Sequence, residues 1–164
     1  MNPSPAEISV VSASFAQQRL WFLDRLEPGS AVYHVPLAVR LTGPLDPAVV
    51  RRVLDAIAGR HETLRTTFAL EGDEVVQVIH PAPAWEWREE PVRDEAELAA
   101  RLSAGARQPF DLERGPLSRA TLFQLGPREH VLLVTLDHII TDGCSLGVVI
   151  ADMSQPYARA LEAT

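Results

Sequence analysis

The sequence contains no lysine. All 15 of its basic residues are arginine, which excludes Schiff-base chemistry and any phosphate-binding lysine. There is one cysteine, Cys144. It has no partner for an internal disulfide and gives no sign of an oxidising compartment. No long hydrophobic run is present. Even Val131 to Leu136, apolar but for Thr135, falls far short of the roughly 20 residues a membrane helix needs. Met1 to Ile8 lacks a basic segment followed by an apolar one, so no signal peptide is visible and a cytoplasmic location is expected. Basic charge is scarce overall: 22 acidic against 15 basic residues leave a net charge of −7. That balance argues against nucleic acid as the main partner, because a phosphate backbone requires a basic footprint. The five histidines, His34, His61, His80, His130 and His138, show no metal-ligand spacing such as H-E-x-x-H, so no metal site is expected.

What remains is an ordinary globular composition, 46% apolar in 164 residues, long enough to bury a sizeable core. Met1 to Ser12, with Pro3 and Pro5, reads as a lead-in. Ser14 to Leu26 has helical spacing, with Ser12 or Ser14 as the cap. Glu27 to Ser30 breaks it. Val32 to Leu41 predicts a strand, and Pro36 places it at an edge or a bulge. Asp46-Pro47 predicts a helix start, with Asp as N-cap and Pro at the first helical position. Thr66 to Leu70 and Glu74 to Ile79 predict a hairpin, and Trp85 to Arg88 a further short strand with both tryptophans on one face. Asp94 to Arg107 predicts a helix with a D-x-x-E capping box at Asp94 and Glu97. Pro109 to Pro116 reads as a loop. Leu117 to Leu125 and Glu129 to Asp137 predict strands, the second apolar over 131–136 but for Thr135, as in a central strand buried on both faces. A helix is expected from about Ser145, stopped or kinked at Pro156. These elements predict a layered α/β (α+β) sandwich in two layers, with a mixed sheet flanked by helices.

The chemistry concentrates in Leu136-Asp137-His138-Ile139-Ile140-Thr141-Asp142-Gly143-Cys144-Ser145, where a buried strand gives way to a loop. A rigid strand ending in a loop is a common setting for a site. His138 is the side chain suited to general-base work near neutral pH. If strand geometry persists to position 138, Asp137 and His138 point to opposite faces and form no dyad. Asp142-Gly143 allows a turn and a close backbone approach. On these residues alone, a structural histidine followed by an Asp-Gly turn accounts for the segment as well as catalysis does. Cys144 reads as a small buried hydrophobe, and the acidic cluster from Glu89 to Glu97 as a solvated surface.

Two earlier stretches change the weighing: Ser14-Phe15-Ala16-Gln17-Gln18-Arg19-Leu20-Trp21-Phe22-Leu23, and Arg60-His61-Glu62-Thr63-Leu64-Arg65-Thr66-Thr67-Phe68. In this order, the three stretches resemble the first three signature motifs of condensation domains of nonribosomal peptide synthetases. The resemblance runs from about Ser12 to Ala160. It implies one chloramphenicol-acetyltransferase-like lobe of a two-lobed domain, with residues 13–164 as the N-terminal lobe, 1–12 as lead-in and the C-terminal lobe absent. It also implies a reaction: an upstream acyl or peptidyl thioester is joined to the amine of a downstream aminoacyl thioester, both carried on phosphopantetheine arms of carrier proteins. The implied partners are the donor and acceptor carrier proteins and the second lobe; no nucleic acid, membrane or domain-bound cofactor is implied. By the same resemblance His138 matches the second His of the H-H-x-x-x-D-G motif, the residue that deprotonates or positions the acceptor amine. Asp142 matches the motif Asp, which holds the loop through an arginine, with Arg60 and Arg65 as local candidates, and Gly143 matches the motif Gly.

Two departures stand out. The motif's first His is Asp137 here, a carboxylate beside a buried strand that requires a hydrogen-bond partner or a raised pKa. The same change creates Asp137-x-x-x-x-Asp142-x-x-Ser145, the D-x-x-x-x-D-x-x-S pattern of heterocyclization domains, which dehydrate the condensed product to a ring. The chain also ends before a second lobe, so the isolated lobe is expected to be a poor catalyst. Condensation leads; heterocyclization, acyl transfer to a hydroxyl and non-catalytic docking of a carrier protein stay open beside it.

Overall fold

Each helix starts where a short polar side chain satisfies the free amides of the first turn. In α1 (Phe15–Leu26) the Ser14 hydroxyl accepts from the Gln17 amide at 3.3 Å, and the Gln17 side-chain oxygen accepts from the Ser14 amide at 2.9 Å, a reciprocal capping box. In α2 (Pro47–Arg60) the Asp46 carboxylate accepts from the Ala48 amide at 2.9 Å. In α3 (Glu95–Arg107) Asp94 accepts from the Glu97 amide at 2.8 Å. The return bond predicted for a capping box goes one residue further back, from the Arg93 amide to Glu97 at 3.1 Å. The computed structural model describes residues 8–82 and 85–141. Asp142, Gly143, Cys144 and the helix expected from Ser145 lie outside the described residues.

The strands are β1 (Ser9–Ser12), β2 (His34–Thr42), β3 (Thr66–Glu71), β4 (Glu74–Ile79), β5 (Glu86–Pro91), β6 (Ser118–Gly126) and β7 (Glu129–Asp137). They form two sheets, β1-β4-β3 and β2-β7-β6-β5. The first is antiparallel, built on the predicted hairpin, and β1 pairs along its edge. The end of the stretch read as a lead-in is therefore part of a sheet. The second sheet is mixed, since β5 runs parallel to β6 while the other pairs are antiparallel. Pro36 sits in β2, an edge strand, where its missing N–H costs no ladder bond on the solvent side.

β7 lies inside the mixed sheet and buries both faces, as its apolar run predicts. Leu132, Val134 and Leu136 face the main core with Val50, Leu54, Ile57 and Phe68. Val131 and Leu133 face a smaller cluster with Val92, Leu98 and Phe123 beneath α3. The tryptophans before and within β5 pack against the main core, and Trp85 Nε1 donates to the Leu54 carbonyl at 2.8 Å. The ends of β2 and β7 are locked in register, His34 opposite Asp137, so the site sits where the central strand stops.

Candidate active site at the end of the central strand

From His130 to Thr141 every residue is buried except His138. The strand ends at Asp137, and His138–Ile140 form a 3₁₀ turn. The two side chains still diverge as the strand alternation predicts. Asp137 turns inward and is 8% exposed, while His138 turns out to solvent. On either side of the exposed imidazole the chain is anchored by buried groups, with Ile139 and Ile140 in the main core.

The backbone groups of His138 and Ile139 are all bonded. The His138 amide donates to the Tyr33 carbonyl at 2.8 Å, and the His138 carbonyl accepts from the Thr141 amide at 3.3 Å. The Ile139 amide donates to Asp137 Oδ1 at 2.9 Å, and the Ile139 carbonyl accepts from Gln17 Nε2 at 3.3 Å. The Asp137 amide donates to the Leu117 carbonyl at 3.0 Å. Asp137 thus acts as a cap for the turn that presents His138.

The Asp137 carboxylate also meets charge. It lines a cavity of about 130 Å³ with Leu20, Leu23, Asp24, Tyr33 and Leu112. Burial pushes its carboxyl above the ordinary range; the Ile139 amide, His34 and His138 pull it back, and Asp24 pushes it further up. Asp24 is raised as well, first by burial, with Asp111 adding to the shift and Arg25 and His34 opposing it. His34 has its own fixed role: Nδ1 lies 3.1 Å from the Ala106 carbonyl, so it carries the proton there. The predicted requirement of a partner or a raised pKa at position 137 is met by both.

Arg65 is occupied within its own segment. It pairs with Glu62 at 2.9 Å and donates to the His80 carbonyl. Arg60 ends α2 and is exposed. Their proposed partner Asp142, and Gly143, lie outside the described residues. His80 Nε2 is 2.8 Å from the Thr67 hydroxyl, and His61 caps α2 with its backbone, so both serve structure. Among the described residues no group of three or more His, Cys, Asp or Glu is placed to hold a metal, and no helix is long and apolar enough to cross a membrane.

Sequence reasoning missed two contributors. Gln17 was visible only as part of a motif. Arg119 sits in β6 between Ser118 and Ala120 and is 4% exposed. Its guanidinium donates to Glu86 at 2.7 Å and to the Gln108 and Pro109 carbonyls at 3.0 and 3.2 Å, and it lies 4.5 Å from the Phe110 ring centroid. Burial would raise the Glu86 carboxyl, but Arg119 and Arg88 outweigh it and hold it below its ordinary value. Through its two carbonyl bonds Arg119 fixes the loop after α3, whose Phe110 ring meets His34 edge-on at 5.0 Å.

Comparison with known proteins bears on this site. Residues 7–163 match the model of the family described as the condensation domain. A linear gramicidin synthase of Brevibacillus parabrevis is 46% identical over 153 residues, covering 90% of this chain and 2% of that protein. Chondramide synthase cmdD of Chondromyces crocatus is 44% identical over 155 residues, covering 90% of this chain and 4% of that protein. The chain therefore spans a few per cent of the curated relatives it matches. Among solved structures, the starter condensation domain of the rhizomide synthetase RzmA superposes with a TM-score of 0.86 at 26% identity, covering 95% of this chain and 40% of that one. The X-domain in its complex with OxyB from teicoplanin biosynthesis gives 0.84 at 36% identity, covering 94% and 34%.

Proposed function

The chain belongs to the condensation domain family, and from that premise we propose that it is the N-terminal lobe of an amide-forming domain of a nonribosomal peptide synthetase. The substrates are a donor acyl or peptidyl thioester and an acceptor aminoacyl thioester, each delivered on the phosphopantetheine arm of a carrier protein. A second lobe completes the site. The observation that carries the reading is the outward turn of His138 alone from an otherwise buried run, within a chain matched by the family model over nearly its whole length.

A thioester is already activated. Its aminolysis needs the amine held against the carbonyl and one acceptor for the proton the amine loses. The acceptor nitrogen attacks the donor carbonyl, the C–N bond forms, the C–S bond breaks, and the donor arm leaves as a thiol. His138 receives or steers the amine proton, which returns to the departing sulfur. No covalent enzyme intermediate is required. The pinned backbone of the 3₁₀ turn supports this role, because a base that works by position must not wander.

Asp137 favours a linear product over a ring. Its carboxylate is turned into the fold and spent on the Ile139 amide, away from the solvent side that His138 faces. A docking reading is favoured by a different observation: an X-domain of the same fold, 36% identical, is solved in complex with another protein, OxyB. On that reading Asp137 marks a lobe kept for its surface.

The test uses a protein that joins this chain to a second condensation lobe. Donor and acceptor carrier proteins are loaded, mixed, and the acceptor's mass is read with and without His138→Ala. A linear amide lost in the variant supports condensation. A product one water lighter, lost on Asp137→Ala, assigns heterocyclization. No product from the folded wild type, with carrier binding intact, assigns docking.

A further inference from the structure

We propose that Gln17 is a positioning residue for His138, tying the first signature stretch of the chain to the turn that carries the imidazole; the inference rests on the reading of His138 given above. Gln17 lies in the first turn of α1, half-buried, 122 residues from its partner in the site. Both ends of its carboxamide are bonded. Oε1 accepts from the Ser14 amide at 2.9 Å. Nε2 donates to the Ile139 carbonyl at 3.3 Å and to Gln77 Oε1 at 3.1 Å.

The orientation of this amide is dictated by its partners. A backbone amide can only donate and a backbone carbonyl can only accept, so Oε1 must face Ser14 and Nε2 must face Ile139. Gln77 is fixed in the same way, since its own Nε2 donates to the Ser12 carbonyl at 3.3 Å. A polar chain therefore links the end of β1, β4 and the 3₁₀ turn through Gln17, whose Nε2 donates in both directions, toward Gln77 and toward Ile139. Of the four backbone polar groups of His138 and Ile139, three are held by Tyr33, Thr141 and Asp137. Gln17 holds the fourth. Without it the Ile139 carbonyl, at a residue 3% exposed, loses its partner, and the turn can relax by rotating the peptide that follows Ile139.

Gln17 performs two tasks, helix capping and tethering, and substitutions separate them. Gln17→Glu keeps an oxygen for the Ser14 amide, which suits a capping box, and removes the donor to Ile139. Gln17→Lys keeps a donor within reach of Ile139 and removes the acceptor for Ser14. Gln17→Met keeps the volume and removes both. In the two-lobe protein, Gln17→Glu and Gln17→Met are expected to lower kcat about tenfold with KM for the loaded carriers within about twofold, while Gln17→Lys stays within about threefold of wild type. In the 164-residue chain, amide exchange at Ile140 and Thr141 should quicken about fivefold or more in the Glu and Met variants, with the exchange of α2 and β6 unchanged. Wild-type kcat and exchange in Gln17→Glu, with Gln17→Lys impaired, would overturn the proposal and leave Gln17 as a helix cap. Should Gln17→Glu not fold, equal kcat and exchange in the Lys and Met variants overturn it equally. A His138→Ala protein with undiminished activity instead overturns the reading of His138, and the exchange measurement then decides the tether by itself.

Discussion

Asp137 makes two opposed contributions to stability, and replacing it with Asn or with Ala separates them. The favourable one is the cap on the buried Ile139 amide at 2.9 Å. Alanine deletes the acceptor and leaves that amide unpaired, at a cost of about 1–3 kcal/mol. At about 2–4 °C per kcal/mol for a domain of this size, the thermal midpoint falls by about 2–12 °C. The unfavourable contribution is the buried charge. Burial, with Asp24 adding to it, raises the carboxyl above its ordinary value of 3.8. The folded protein therefore keeps a proton that the unfolded chain has already released. Its contribution to stability falls as pH rises from the ordinary value through the folded one. Asparagine keeps an oxygen for Ile139 and carries no charge, and it also relieves the neighbouring Asp24, which burial has raised. Asp137→Asn should therefore approach wild type on the acid side and become the more stable protein as pH rises toward neutrality. Urea denaturation of the three proteins followed by circular dichroism, from about pH 4 to about pH 7, reads both effects. The reasoning is refuted if Asp137→Asn is less stable than wild type by more than about 1 kcal/mol at neutral pH. It is also refuted if the difference between the two does not change with pH, or if Ala is no worse than Asn.

The other predictions concern separate parts of the molecule. His138→Ala should lower amide formation by the two-lobe protein about 10²-fold or more, yet leave the thermal midpoint within about 2 °C, because the imidazole is exposed; a matching loss of stability would mean the side chain is structural. Arg119→Met should cost about 1–3 kcal/mol, since it strips the partly buried Glu86 of one of its two arginine partners and leaves two loop carbonyls without their donor; thermal melting indistinguishable from wild type would contradict the packing described. Gly115→Ala should destabilise by about 1–3 kcal/mol, because φ is +59° and the added methyl would stand 2.7 Å from Thr67 Cγ2; unchanged urea midpoints would show that this loop adopts another path.

What could be read in advance was whatever depends on neighbours in sequence. Ser14, Asp46 and Asp94 cap helices with bonds spanning two or three residues, and Pro36 at a sheet edge follows from one missing donor. The apolar run of β7 announced a strand buried on both sides. What could not be read depends on residues brought together from afar. Ser9–Ser12 is four residues with an unbroken exposed pattern, so no alternation marks β1 as a strand; its pairing with β4 exists only once the hairpin is built. Trp85 to Arg88 reads as a short strand, but nothing local states that it continues to Pro91 or runs parallel to β6. Arg119 looks like an outward residue until the loop carbonyls of Gln108 and Pro109 arrive above it. In the site the same division holds. The divergence of Asp137 and His138 follows from strand alternation, whereas the tether from Gln17 crosses 122 residues.

The departure at position 137 becomes intelligible on these terms. The turn after β7 asks one thing of that side chain, an acceptor for the amide two residues on. Aspartate supplies it, and so does the unprotonated ring nitrogen of the histidine that the resembling motif places there. The two differ in what else they bring into a buried pocket. A neutral imidazole adds no charge, while aspartate adds one beside Asp24, eased by His34 from across the register. The requirement for an acceptor is met by either side chain, and what the exchange changes is the charge in the pocket and with it the pH dependence of stability. The imidazole at residue 138 and the charge at residue 137 are separable because the chain turns one outward and the other in.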